Sequence, residues 1–266
     1  MKRLQQTFTN TKQQNRAALL AFVTAGDPDF RQSLNIMYSL VENGADIIEL
    51  GMPFSDPVAD GKTIQQANLR ALAGGQNLAK TLHLVSIFRQ TNSHTPIVLM
   101  GYFNPIYYYG VAKFIADAKT AGVDGLLVVD LPPEHHADLY EPAINAGLAG
   151  IRLVTPTTDD KRLSYVLNES SGFVYYVAVA GITGTQTGDI QDIAQNVAKI
   201  KQYTNLPIVV GFGIRTAKQV KPIAQIADGV VVGSAFIELI EQDFNNVAQN
   251  IGNLCKELAK NLNKNS

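Results

Sequence analysis

One phrase repeats along this chain and restricts its fold more than any other feature: a short apolar run, a loop, then apolar residues at helical spacing, often closed by glycine. The runs occupy residues 18–23, 47–50, 97–100, 126–129, 151–154, 173–177, 208–210 and 230–232. The stripe after the first is Leu34, Ile36, Met37, Leu40 and Val41, stopped at Asn43-Gly44, and the last carries Phe244, Val247, Ile251, Leu254, Cys255, Leu258 and Leu262. Runs that are apolar on both faces suit parallel strands covered by helices, and parallel strands need right-handed crossovers. Eight such units close on themselves more naturally than they leave open edges, and about 250 residues is the usual length of the result. With 266 residues, residues 1–266 are expected to form a single-domain α/β fold, a (β/α)8 TIM barrel. Leu4 and Phe8 predict a short N-terminal helix followed by a polar link over residues 9–16, and extra elements are expected on the rim. An open doubly wound sheet is the competing architecture, weakened because no Gly-x-Gly-x-x-Gly follows the first run.

Charge and composition narrow the partners. The chain carries 22 basic and 23 acidic side chains, a net charge of −1, with no basic block that would serve a nucleic-acid surface. No apolar stretch approaches the roughly 18 residues of a membrane span. The single Cys255 provides neither a disulfide nor a thiolate metal site and suits a reducing compartment, so a cytoplasmic protein is expected. Of the histidines His83, His94, His135 and His136 only the last two adjoin, and adjacent residues do not share a helix face, so no metal is assigned.

Within this pattern one strand is anomalous. Ile47, Ile48 and Leu50 are apolar, but Glu49 stands among them, where an ionised carboxylate is costly without a task or a partner. Asp60 follows in a loop broken by Pro53, Pro57 and Gly61, a more polar setting. Environments that differ in this way separate two carboxyl pKa values, so that one group can hold a proton while the other stays charged. A core ion pair for Glu49 and a turn role for Asp60 are the plainer alternatives.

The late loops are rich in glycine: Gly181 to Gly188 after the sixth run, Gly211-Phe212-Gly213 after the seventh, and Gly233-Ser234 after the eighth. Glycine lets backbone N–H groups approach a ligand, and a following helix start favours an anion, so a phosphate is the expected guest. Gly184, Gly213, Gly233 and Ser234 are the candidate donors, with Gly211 beside them. Phe22, Leu99 or Met100, Leu127, Tyr175 and Phe212 stand at strand ends, where they can wall a ring. Tyr175 is also a candidate hydrogen-bond partner of Glu49.

Six phrases together resemble the tryptophan synthase alpha subunit family: Phe22-Val23-Thr24-Ala25-Gly26-Asp27-Pro28, the stretch from Glu49-Leu50-Gly51-Met52-Pro53-Phe54 to Ser55-Asp56-Pro57-Val58-Ala59-Asp60-Gly61, Met100-Gly101-Tyr102-Phe103-Asn104-Pro105, Asp130-Leu131-Pro132-Pro133-Glu134, Ala180-Gly181-Ile182-Thr183-Gly184 and Gly211-Phe212-Gly213-Ile214. The resemblance implies retro-aldol cleavage of indole-3-glycerol phosphate to indole and glyceraldehyde 3-phosphate, with Glu49 as acid/base and Asp60 as the carboxylate that takes the indole N–H. It implies no cofactor in this chain, a lid at Thr183 that hydrogen-bonds Asp60, and a pyridoxal-phosphate beta subunit that receives the indole within an alpha2-beta2 assembly. Pro53, Phe54, Asn104, Pro105, Ile106, Tyr107, Tyr108 and Tyr109, read as rim loops, are the expected interface. Lys62 departs from the proline many members carry, and Ala178-Val179 from the serine and arginine of some, which puts in doubt an ion pair from that loop. Two other functions remain open at this point: a sugar-phosphate isomerase barrel sharing the phosphate loops, and a non-catalytic barrel that activates a partner enzyme.

Overall fold

The computed structural model describes residues 1–178, 190–211 and 213–264. In chain order the elements begin with α1 (Lys2–Gln13), β1 (Ala18–Thr24), α2 (Phe30–Glu42) and β2 (Ile47–Gly51). Two helices, α3 (Lys62–Ala73) and α4 (Leu78–Thr91), precede β3 (Ile97–Gly101), and two more, α5 (Phe103–Tyr109) and α6 (Val111–Ala121), precede β4 (Gly125–Val128). A single 3-10 turn at Pro133–His135 leads into α7 (His136–Asn145), then β5 (Ala149–Val154), α8 (Asp160–Asn168) and β6 (Val174–Val177). The last third is α9 (Ile190–Lys201), β7 (Ile208–Gly211), α10 (Ala217–Ile226), β8 (Gly229–Val232), α11 (Ser234–Gln242) and α12 (Val247–Ala259).

All neighbouring strands pair parallel, and β8 pairs with β1, so the sheet closes into a barrel in the order β1 to β8. The doubly apolar runs are the reason: β1, β2, β4 and β8 are buried at every residue, one face toward the barrel interior and the other toward helices. Local signals set the helix ends. Asp29, Asn77 and Asp159 cap α2, α4 and α8 through their side chains, and Gly122 ends α6 in the left-handed conformation at φ 94°. Lys62 occupies the first position of α3, where a free N–H has no intrahelical acceptor to lose, so the missing proline leaves the helix start in place.

The two ends of the barrel differ. At the amino-terminal end, α1 lies across the opening with Leu4 and Phe8 buried, and the Phe8 and Phe173 rings meet at 5.8 Å between centroids. The carboxyl-terminal end carries the β2–α3 segment, α5 and the start of α11.

Three expectations need correction. The polar link begins later than residue 9, because α1 continues to Gln13 with Thr11 buried. Asn104 to Tyr109 form the helix α5 rather than a rim loop, and Ile106 is its buried residue; seven residues are too short for a legible apolar stripe. Phe244 lies outside the last helix, which starts at Val247, and is 47% exposed. The separate helix α11 fills the space between, its apolar residues Phe236, Ile237 and Ile240 buried.

Candidate active site

Strand register decides which side chains enter the barrel, because residues paired across parallel strands share a face. Phe22, Glu49 and Val98 are paired across β1, β2 and β3. Met100 pairs with Leu127 and Leu127 with Ile151, on the same alternation, while Leu99 points the other way, so Met100 is the inward residue of that pair of candidates. Tyr175 pairs with Leu153 and Val209.

Two glycines are required by these aromatics. A Cβ on Gly211 would come within 2.7 Å of the Tyr175 ring, and one on Gly51 within 2.8 Å of Phe22; a Cβ on Gly233 would sit 3.2 Å from Phe22. Gly211 therefore leaves room for the Tyr175 ring and Gly51 for that of Phe22, with Gly233 closely packed on Phe22 as well. Gly213 is different: its φ of 64° needs a residue without a Cβ, and the space beside it is open. Ser234 opens α11 with no side-chain cap on that helix start, and its neighbour Gly233 supplies the carbonyl that Phe236 and Ile237 amides donate to. Phe22 is 5% and Tyr175 9% exposed, whereas Leu127 is fully buried. Thr183, Gly184, Phe212 and Val179 lie outside the described residues.

Glu49 is 1% exposed, and neither carboxylate oxygen has a hydrogen-bond partner. The expected bond from Tyr175 is not made. Burial, and then the charge of Asp60, push the Glu49 pKa up to about 8. Burial, and then the charges of Glu49 and Asp60, hold the Tyr175 hydroxyl well above the ordinary phenol range. A carboxyl raised in this way is neutral at pH 7 and can donate a proton.

Asp60 occupies a loop stitched to the helix that follows it. Its amide donates to Pro57 O at 3.0 Å, Gln65 Nε2 donates to its carbonyl at 2.8 Å, and the Phe54 amide donates to Asn68 Oδ1 at 3.1 Å. Arg70 ties α3 to Asp27 through two bonds of 2.8 and 2.9 Å and to Glu241 of α11 at 2.5 Å. Burial raises the Asp60 pKa to about 6, with a hydrogen bond from Tyr102 acting against it. Both acids are raised, therefore, and it is the size of the shift that separates them: at pH 7 Asp60 is mostly ionised and Glu49 mostly protonated.

Tyr102 is the participant that sequence reasoning missed. Its hydroxyl accepts from the Ala59 amide at 3.0 Å, which leaves the hydroxyl proton for Asp60. The available signal was its position, one residue past β3 on the carboxyl-terminal rim. Among the described residues no cluster of His, Cys, Asp and Glu could hold a metal ion, and no helix is long and apolar enough to cross a membrane.

A closed parallel barrel with a neutral and an ionised carboxyl at its carboxyl-terminal mouth defines an acid–base enzyme of the TIM-barrel class. The chain belongs to the tryptophan synthase alpha chain family, whose model matches residues 8–265. It is 36% identical to the tryptophan synthase subunit alpha of Legionella pneumophila, with a TM-score of 0.91 over 97% of each chain. Against a chain of Mycobacterium tuberculosis tryptophan synthase in an open form with BRD0059 bound it is 35% identical, with a TM-score of 0.89 over 98% of this chain and 99% of the other. A structure from Aquifex aeolicus has the same 35% identity and a TM-score of 0.90, covering 98% of this chain and 99% of that one.

Proposed function

We propose that this chain cleaves indole-3-glycerol phosphate by the retro-aldol reaction of its family, with Glu49 and Asp60 as the reacting acid–base pair. The obstacle is that an aromatic carbon must leave as a carbanion equivalent. Neutral Glu49 gives its proton to indole C3, and the ring becomes an iminium-type cation. Ionised Asp60 takes the indole N–H and steadies that charge. Glu49, now a carboxylate, removes the proton of the glycerol hydroxyl next to the scissile bond; the carbon–carbon bond breaks, its electrons return to the ring, and indole and glyceraldehyde 3-phosphate separate. One proton leaves Glu49 and one returns, so no cofactor takes part.

Phe22, Tyr175 and Met100 are assigned to the indole ring, with Leu127 beneath it and Phe212 as a further wall. Gly213, Gly233 and Ser234 are assigned to the phosphate, together with Gly184 and the Gly211 border, and Thr183 to closure over Asp60. A beta subunit that consumes the indole is the proposed partner: Tyr107 and Tyr108 are 70% and 93% exposed beside the mouth and Val58 84%, apolar surface of the kind that interfaces cover. The observation that carries the assignment is the unpartnered, fully enclosed Glu49 carboxyl within reach of the Asp60 charge. Indole release from indole-3-glycerol phosphate, assayed with and without a beta subunit, tests it: Glu49→Gln and Asp60→Asn are expected to abolish release while the fold persists, and unchanged turnover in both would overturn it.

A further inference from the structure

The tyrosine beside Asp60 is held by more than its own strand. Tyr102 is the N-cap residue of α5 and makes no side-chain cap; its ring carries the hydroxyl away from the helix start to accept from the Ala59 amide. The first amide of that helix, Phe103 N, instead donates to Asp130 Oδ1 at 2.8 Å, a carboxylate from the segment after β4, 27 residues further along the chain. That segment is fixed in turn. Arg152, 4% exposed on β5, donates from Nη1 to Leu131 O at 2.9 Å, while its guanidinium lies 3.9 Å over the Tyr140 ring and 3.1 Å from His136 Nδ1.

The Arg152 charge is opposed by burial, which lowers its pKa, and is met in part by Glu169 at 3.7 Å, while its Nη1 is given to the Leu131 carbonyl. Its reward is rigidity: a planar donor fixed by stacking cannot follow a moving loop. We propose that Asp130, held in place by the grip of Arg152 on Leu131, is a positioning residue that caps α5 from the segment after β4 and so fixes the Tyr102 hydroxyl against Asp60. The proposal rests on the reading of Asp60 as a reacting group.

The order of links is Arg152, Leu131, Asp130, Phe103, Tyr102, Asp60. Three of these links cross between segments, from β5 to the segment after β4, from there to the start of α5, and from Tyr102 to the loop after β2, so the acid loop is registered against strands three, four and five rather than against its own helix alone. Asp130 acts by accepting a hydrogen bond, and its negative charge also opposes ionisation of Tyr102. The groups that face Asp60 are Tyr102 from the end of β3, Glu49 from β2 and Tyr175 from β6.

The test compares Asp130→Ala with Asp130→Asn in the full-length chain, following indole release against pH. Asn keeps a side-chain oxygen for Phe103 N and removes the charge; Ala removes both. If the relay operates, Asp130→Ala lowers kcat roughly fivefold, the kinetic equivalent of losing one helix cap, with KM little changed. It also moves the acid limb upward by roughly half a pH unit, because Asp60 loses part of the hydrogen bond that opposes its protonation. Asp130→Asn restores kcat and the acid limb. A purely structural role would lower the thermal midpoint without moving the pH profile. An unshifted profile in Asp130→Ala, or failure of Asp130→Asn to restore it, overturns the relay. Asp60→Asn is run in parallel: if it too retains activity, the reading of the reacting pair has failed, whereas its inactivity beside a normal Asp130→Ala discards the relay alone.

Discussion

Glu49 and Asp124 are both buried carboxylates, 1% and 2% exposed, at opposite ends of one barrel. Asp124 immediately precedes β4 at the amino-terminal end, and its oxygens are fully engaged: Arg3 donates at 3.0 Å, Arg89 at 2.8 Å and the Ile97 amide at 2.9 Å. Glu49, near the other end, has no partner at all. A satisfied buried acid joins elements together, here α1, α4 and the start of β3. An unsatisfied one is held by its surroundings against its own preference for water, and the result is a proton available at neutral pH. Burial alone therefore does not mark function; burial without partners, next to a second acid, does.

This contrast gives two opposite mutational signatures. Replacing Glu49 by Gln is expected to cost roughly 10² to 10⁴ in kcat, the usual contribution of a general acid–base group, while the thermal midpoint stays level or rises, because no native hydrogen bond to the carboxylate is lost. Replacing Asp124 by Ala should do the reverse. It leaves Arg89, whose side chain is only 10% exposed, without its carboxylate, and breaking a buried pair costs about 3–5 kcal/mol. Denaturant unfolding measures that loss, and the kcat of the remaining folded protein should be close to normal. If Glu49→Gln destabilises as much as Asp124→Ala, the two sites are of one kind.

Acidity sharpens the distinction. The folded pKa of Glu49, about 8, lies above its ordinary value of 4.5, so between those limits the native state binds a proton that the unfolded chain has released. Stability contributed by this group is complete below about 4.5 and declines as pH rises through 8, by at most about 1.4 kcal/mol per pH unit. Asp60 adds a decline of the same sign up to about pH 6. Glu49→Gln lacks its share, so its thermal midpoint is expected to gain on the parent from pH 5 to pH 8 and then run parallel to it. An advantage that does not change with pH would mean that Glu49 is already ionised. The smallest effect belongs to a third kind of carboxylate, Asp117, exposed and paired with Lys113 on α6. Lys113→Ala is expected to leave the denaturant midpoint within the scatter of replicate unfolding curves, because solvent screens an exposed pair.

Much of the barrel was legible because the strands are predominantly apolar and the longer helices carry periodic stripes, so pattern and local caps agree. Glu49 was legible for the same reason, as a carboxylate set in an apolar run. The helix α5 was not: its seven residues Phe103–Tyr109 are mostly aromatic, and only Ile106 is buried. Nor were Tyr102 and Asp124, whose partners come from segments far away in sequence, such as Ala59, 43 residues back, and Arg3, 121 residues back. Residue spacing predicts faces of elements; it does not predict which polar groups meet when a cylinder closes. The absent bond between Tyr175 and Glu49 belongs to the same category, since register brings both inside without fixing where a ring hydroxyl ends.

The most direct test of the account is the protonation state of Glu49 itself, read as the infrared carbonyl band of a neutral carboxylic acid in the difference spectrum of the parent protein minus Glu49→Gln between pH 5 and pH 10. The band is expected to be present at pH 7 and to disappear with a midpoint near 8. A spectrum that shows only ionised carboxylate at pH 7, with the band already gone by pH 5, would contradict the assignment of Glu49 as the proton donor.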